Sequence, residues 1–304
     1  MPFLMEDAEV ARVLDLDVCL ESARRVFRHQ ARGEVLLTEP RVERLLFPSE
    51  GTPAGYRVKG AAFPTLGIAG VRIARSVLLT TYPGMDLLGM VEESTAYARR
   101  VGAVTAAALE PLGREEFPTV ALFGAGKLAR TTLDALLHRY RVGSLWVLSR
   151  TQASRNRFAR DYAARGFDVR PTADIEAAVA NSSLTITMTD ADEPLFRSEW
   201  VPLDAVVVSM GGGQEVHPDL LDRAGQVFVD DLEGCLESGD LAAAGAMGRY
   251  RPEMVTGHLF ELFDRPETFS PSDGPTILIP RGMAAMDVMQ AIRAAEIAGH
   301  LPRS

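Results

Sequence analysis

The 304-residue sequence predicts an α/β protein, a doubly wound parallel sheet joined to an α+β domain made from the two ends of the chain. Three observations lead there. Strand-like and helix-like stretches alternate from about residue 115 to 274, the pattern of a parallel sheet with crossover helices. The stretch from Val35 to about Leu88 reads instead as short strands joined by turns. A glycine-rich segment, TVALFGAGKLAR, lies where the first strand of the alternating region meets its first helix.

From Ala8 to Arg32 the pattern is helical, with Val18, Ala23, Val26 and Phe27 at helical spacing and Asp17 placed to cap a helix starting there. Between Val35 and Leu88 the apolar runs RLLF and VRIARSVLL are interrupted by Pro40, Pro48, Pro53, Pro64 and Pro83. Glu92 to Leu112 returns to an alanine-rich helix that Pro111 and Gly113 close. Then follow a strand (TVALFG), a helix (KLARTTLDALLHRY), a strand (SLWVLS) and a helix (ASRNRFARDYAARG). Further strands are expected at SLTITMT, DAVVVSM and QVFVDD, and the chain ends with TILIP and the helix GMAAMDVMQAIRAAEIAGH. This divides the chain into residues 115–274 and a second domain of residues 1–114 with 275–304.

A net charge of -9 argues against general affinity for nucleic acid or an anionic membrane. No stretch has the roughly 18 uninterrupted apolar residues of a membrane helix. Cys19 and Cys235 form no CxxC, as expected of thiols in a reducing compartment. The start, MPFLMEDAEV, lacks a basic segment followed by an apolar one, so the expected location is cytoplasmic. His29, His138, His217, His258 and His300 lie apart in sequence and suggest no metal site, and no GxSxG occurs. His217 reads as a structural residue at a helix start, and Asp230 and Asp231 as a solvated strand end.

The glycine segment carries the chemistry. Gly124 permits a sharp turn after the strand, Gly126 lets backbone approach a pyrophosphate, and Ala129 is the small third position of a Rossmann G-x-G-x-x-A fingerprint. Ala125, Lys127 and Leu128 complete this turn, whose helix N-terminus offers free N–H groups to phosphate. The second strand ends at Ser149-Arg150-Thr151, with Arg155 one turn on. An NAD enzyme usually has a carboxylate there, whereas a hydroxyl and a guanidinium suit a ribose 2′-phosphate. The expected cofactor is therefore NADP(H), with NAD(H) as the alternative. Thr189, Met210 and Gly211, after the next two strands, are expected to complete its surroundings.

With these residues in place, the sequence resembles the ornithine cyclodeaminase/mu-crystallin family across nearly the whole chain. The resemblance rests on PRVER around Arg41, YRVKGAAF around Lys59, AGVRIARSV around Arg72 and RRVGAVTAAAL around Arg100. It continues in GAGKLA, LSRT and GQEVHPDLLDRAGQVFVDD. The family contains cyclodeaminases, amino-acid dehydrogenases, imine or ketimine reductases and a hormone-binding vertebrate protein, so it implies fold and cofactor better than substrate. The resemblance implies a homodimer whose split terminal domain holds a substrate α-carboxylate with cations, here Arg41, Lys59, Arg72 and Arg100. It also implies that Asp287 lines the substrate site.

Two departures from the family pattern shape the expected function. Arg72 stands where the family usually has its catalytic lysine, and arginine anchors anions but exchanges protons poorly. Lys59 is then the best proton-exchanging group, its pKa lowered by burial among arginines. The loop Met210-Gly211-Gly212-Gly213-Gln214 lacks the cyclodeaminase carboxylate, and Ile279-Pro280-Arg281-Gly282 replaces the family's K-S-V-G. The expected activity is NAD(P)H-dependent reduction of a small α-imino acid, or of an α-keto acid plus an amine, with several arginines suggesting an imino diacid. Lys59 and Arg72 are the expected catalytic residues. The alternatives are an ammonia lyase of cyclodeaminase type with bound NAD, and a non-catalytic nucleotide-dependent binder of mu-crystallin type.

Overall fold

The computed structural model describes residues 1–47, 54–270 and 273–303. Pro48 and Pro53 of the sequence reading lie outside them. The described chain forms two compact units, residues 1–107 with 282–304 and residues 108–281.

The first unit is built on a seven-stranded sheet. Its strands are β1 (Phe3–Met5), β2 (Leu36–Leu37), β3 (Glu43–Phe47), β4 (Ala54–Phe63), β5 (Ile68–Ile73), β6 (Ser76–Thr81) and β7 (Leu87–Glu92). Their order is β1-β7-β6-β5-β4-β2 with β3 beside β4, and only the β1–β7 pair is parallel. The alternation of SVLLTT in β6 explains its faces. Val77 and Leu79 are buried while Leu78 between them is half-buried, as in an antiparallel sheet covered on one side. The cover is the helix Ala284–Ala298, which packs on β4, β5 and β6 and against the helix Leu16–Ala31. Gly70 of β5 allows this close approach, since a Cβ there would stand 3.0 Å from both methyls of Val288. Asp15, not Asp17, caps the helix Leu16–Ala31, its Oδ1 accepting from Val18 N at 2.8 Å. Asp17 falls in the first turn, where an acid faces the positive end of the helix.

The second unit holds eight strands, all parallel. They are β8 (Glu116–Phe123), β9 (Arg141–Leu148), β10 (Val169–Pro171), β11 (Leu184–Thr187), β12 (Val206–Ser209), β13 (Gln226–Val229), β14 (Gly257–His258) and β15 (Thr276–Ile279). The order is β10-β9-β8-β11-β12-β15-β13-β14, so chain direction across the sheet reverses between β8 and β11, the switch point where doubly wound sheets open a crevice. One sequence boundary needs correcting. TILI is an inner strand between β12 and β13, not the start of the returning segment, and all four of its residues are buried. A continuous apolar run buried on both faces marks a central parallel strand, so the chain returns to the first unit at Gly282 rather than residue 275. The helix Ser94–Ala108 also ends earlier than Leu112. A 3₁₀ turn, Glu110–Leu112, follows it and closes on Gly113 at φ +67°.

Candidate functional site

In the second unit β8 runs into the helix Lys127–Arg139 through the expected turn. Gly124 adopts φ +122°, and a Cβ there would lie 2.6 Å from the Met188 carbonyl oxygen, so both backbone and space demand glycine. Gly126 is the helix N-cap at φ -83°, and a Cβ there would meet nothing within 4 Å. No side chain caps this helix. Its first N–H groups thus adjoin open space, with the buried Ala129 packed beneath the turn. This is the cradle a pyrophosphate requires, and a dinucleotide fits these residues.

At the end of β9 the residues divide their labour. Thr151 Oγ1 caps the helix Gln152–Ala163 by accepting from Ser154 N at 3.2 Å, Ser149 Oγ donates to the Thr151 carbonyl at 3.1 Å, and Arg155 Nη1 donates to the Ser149 carbonyl at 3.2 Å. Arg150 stands exposed on the turn these bonds hold.

The loops after β11 and β12 are tied together by Glu215, which the sequence reading did not single out. Glu215 is fully buried. Its Oε1 accepts from Thr189 N and Thr189 Oγ1, both at 2.6 Å, and its Oε2 accepts from Gly211 N at 2.6 Å. Asp240 in turn accepts from Glu215 N at 2.8 Å, Val216 N at 2.9 Å and Ser209 Oγ. Burial raises the pKa of both carboxyls, and the bonds they accept only partly oppose it. Thr189 and Gly211 are therefore held in place from below, and Glu215 is committed to two backbone amides and the Thr189 hydroxyl.

In the first unit the register of the sheet creates an electrostatic problem that one residue resolves. Lys59 of β4 and Arg72 of β5 are direct cross-strand partners, a like-charge pair that is unfavourable alone. Asp287, in the first turn of the helix Ala284–Ala298, supplies the counter-charge. Its Oδ2 lies 2.6 Å from Lys59 Nζ and 3.8 Å from Arg72 Nε, and its Oδ1 lies 2.7 Å from Arg100 Nη2. Lys59 Nζ also donates to the Gly282 carbonyl at 3.2 Å. Arg72 Nε donates to a second buried carboxylate, Glu93. The ring of Tyr97 lies 4.9 Å from the guanidinium carbons of both Arg72 and Arg100. Arg100 is 4% exposed, and its buried Nε makes no hydrogen bond among the described residues.

Burial lowers the Lys59 pKa below the usual lysine value. Asp287 opposes this shift, and Arg100 and Arg72 add to it. Burial would raise the Asp287 carboxyl, but Arg100, Lys59 and Arg72 outweigh it and hold it below the usual range. Glu93 shifts the other way, raised by burial and then by the charge of Asp287. Two neighbouring carboxyls with oppositely displaced affinities for a proton make a chemically differentiated site.

The structure thus brings together three of the four expected cations. Arg41 is held by other partners, its Nη1 donating to the Thr38 carbonyl at 3.2 Å and standing 3.8 Å from Glu39 Oε1. Asp230 is not a solvated strand end but is 1% exposed, because the strand it follows is flanked by β15 and β14, and its Oδ1 accepts from Asp231 N. His217 is the cap of the helix Pro218–Arg223, with Nδ1 accepting from Asp219 N at 3.1 Å. Both cysteines are buried and free, and burial pushes the Cys19 thiol up to about 12, too high for a neutral-pH nucleophile. No cluster of three or more His, Cys, Asp or Glu residues that could hold a metal ion occurs among the described residues.

A unit with a doubly wound sheet and a glycine phosphate turn, and a second unit that buries three cations around one carboxylate, define a protein of dinucleotide-binding architecture with a further, charge-lined domain. The chain belongs to the ornithine cyclodeaminase/mu-crystallin family, whose sequence model matches residues 67–268. It is 29% identical to the ketimine reductase mu-crystallin of Rattus norvegicus over 176 residues, 56% of this chain and 55% of that protein. The match thus spans about half the length of that relative. A Delta(1)-pyrroline-2-carboxylate reductase of Bacillus cereus is 23% identical over 269 residues, covering 86% of this chain and 83% of that protein. Among solved structures, the iminosuccinate reductase of Paracoccus denitrificans in complex with NAD+ superposes with a TM-score of 0.88 at 20% identity, covering 98% of this chain and 97% of that one.

Proposed function

We propose that this protein is a nicotinamide-dependent reductase of a small α-imino acid, or of the imine formed from an α-keto acid and an amine. The observation that carries the reading is the convergence of Lys59, Arg72 and Arg100 on Asp287. Relatives named as ketimine, pyrroline-2-carboxylate and iminosuccinate reductases support it. A bound NADP(H) or NAD(H), held by Gly124 to Ala129 and the turn at Ser149 to Thr151, supplies hydride chemistry. Arg100 and Arg72 hold the substrate carboxylate, and Asp287 fixes their positions so that the acid is oriented before reaction. Lys59 uses two of its three donors on Asp287 and Gly282 and keeps one N–H for the substrate nitrogen. Its lowered proton affinity makes it a readier proton donor than an ordinary lysine.

The test is oxidation of NADPH and NADH by the purified protein with a panel of keto acids plus ammonia or methylamine, and with cyclic imino acids. Turnover is expected, and Lys59→Ala should reduce it by about 100-fold or more. Undiminished turnover in this variant would remove Lys59 from the mechanism. Proline and ammonia from ornithine with no net cofactor oxidation would replace the reading with a lyase, and cofactor binding without turnover would favour a non-catalytic binder.

NADPH is the proposed partner over NADH because Arg150, with Ser149 beside it, occupies the end of β9 where a carboxylate would serve NAD. Arg150→Ala should raise the KM for NADPH by about tenfold or more, a charge-assisted bond being worth about 1.5–3 kcal/mol, and leave NADH nearly unchanged. Equal effects on both cofactors would show that Arg150 does not read the 2′-phosphate.

A homodimer is the proposed assembly. Leu4, Met90, Leu78 and Val71 are register neighbours across β1, β7, β6 and β5 on the sheet face away from the helices, with Leu4 55% and Val71 39% exposed. Such an apolar row suits burial against a second copy. Leu78→Glu is expected to sediment as a monomer while the parent protein sediments as a dimer.

A further inference from the structure

We propose that Glu93 takes up a proton when an anionic acid binds at the Asp287 cluster, so that substrate binding and protonation of Glu93 are a single linked event. The inference rests on the proposed function above and goes beyond it by assigning a role to a residue outside the expected substrate clamp. Glu93 lies between β7 and the helix Ser94–Ala108, its N–H donating to the Arg75 carbonyl at 2.9 Å, and it is 4% exposed. The groups facing it come from every packed element. Arg72 from β5 donates to its carboxylate, Tyr97 and Arg100 come from its own helix, Asp287 and Gln290 from the helix Ala284–Ala298, and the apolar Val77 and Val91 from β6 and β7. Lys59 stands beyond Asp287.

The two carboxylates are unequally supported. Among the described residues Asp287 is paired with three cations, whereas Glu93 is paired with Arg72 alone. A substrate carboxylate arriving at Arg72 competes for that one partner and adds a third negative charge to the group. Of the two resident acids, the one with a single cation is the one that gives way, and the cheapest response of a buried carboxylate deprived of its partner is to accept a proton. Burial and the charge of Asp287 already incline Glu93 that way, although its place at a helix N-terminus favours the ionised form. A cavity of about 10 Å³, room for about one water molecule, adjoins Glu93, Tyr97, Arg100, Asp287 and Gln290 together with the apolar Leu14, Val77 and Val91, and so places a single water beside the carboxyl. The proton comes from solvent, and no bond other than O–H forms.

The experiment is titration calorimetry of pyruvate, oxaloacetate and L-proline into the protein saturated with NADP⁺, in PIPES and in imidazole, whose different ionisation heats report protons taken up. Wild type should take up close to one proton per acid bound over part of the pH range scanned, its Kd rising by up to about tenfold per pH unit there. Glu93→Gln should bind with no proton uptake and a Kd that varies less than about twofold over the same range. A purely structural role for Glu93 would leave the proton count unchanged in the variant and would overturn the inference. Binding to wild type without proton uptake overturns it also, even if Glu93→Gln fails to fold. Failure of every acid to bind would instead overturn the proposed function, and this inference with it.

Discussion

Asp287→Ala is expected to cost about 3–5 kcal/mol in a urea unfolding titration, the toll of leaving buried charges without their partner. Asp287 is 3% exposed, and its loss leaves Arg100 and Lys59 without their buried counter-charge and Arg72 with Glu93 as its remaining acid. Asp287→Asn should recover only part of the loss, since it restores shape and acceptor but not charge. Added salt should rescue little, because buried charges are weakly screened. An unchanged midpoint for Asp287→Ala would show that the cations are solvated and that the cluster is not what holds this end of the helix to the sheet.

The pH dependence follows from the direction of each shift. Asp287 is depressed in the fold, so its stabilisation is fully present above the unfolded carboxylate range, near about pH 4, and is lost as pH falls through its lower folded value. Glu93, Glu215 and Asp240 are raised, so the fold keeps protons that the unfolded chain has released, and stability declines as pH rises through that window. In Asp287→Ala the acid-side decline should therefore be shallower than in the parent.

The parallel sheet and its glycine turn were legible because their signals are local. A strand, two glycines and a helix follow one another within a dozen residues, and buried parallel strands announce themselves as short apolar runs. The apolar run TILI marks a strand but not its unit, because periodicity identifies a strand without naming its neighbours. The cation cluster was legible only through family resemblance, since Lys59, Arg72, Arg100 and Asp287 are brought together by sheet register and a helix from the other end of the chain. Glu93 and Glu215 left no such trace. Each is an acid beside a glycine-rich or alanine-rich stretch, indistinguishable in sequence from the many solvated acids of a chain of net charge -9, and their burial appears only when three or four elements close around them. Arg41 shows the converse, a position that matched by order along the chain but whose guanidinium is held by Thr38 and Glu39.

The two glycines of the phosphate turn should respond oppositely to substitution, and the contrast isolates the ligand from the fold. Gly124→Ala is expected to destabilise by about 1–3 kcal/mol, because alanine tolerates φ +122° poorly and its methyl would meet the Met188 carbonyl at 2.6 Å. Gly126→Val should cost less than about 1 kcal/mol, since φ -83° suits any residue and the added side chain meets no protein atom near its Cβ. The space that valine enters is the space a pyrophosphate needs in order to reach the first N–H groups of Lys127–Arg139. Its dinucleotide Kd should therefore rise by about 100-fold, equivalent to about 2.7 kcal/mol, in a protein whose unfolding curve is nearly that of the parent. Because fold and ligand separate so cleanly at Gly126, a variant that unfolds normally and still binds NADPH and NADH as the parent does would mean that the phosphates do not sit at this helix end, whatever the sequence pattern there suggests.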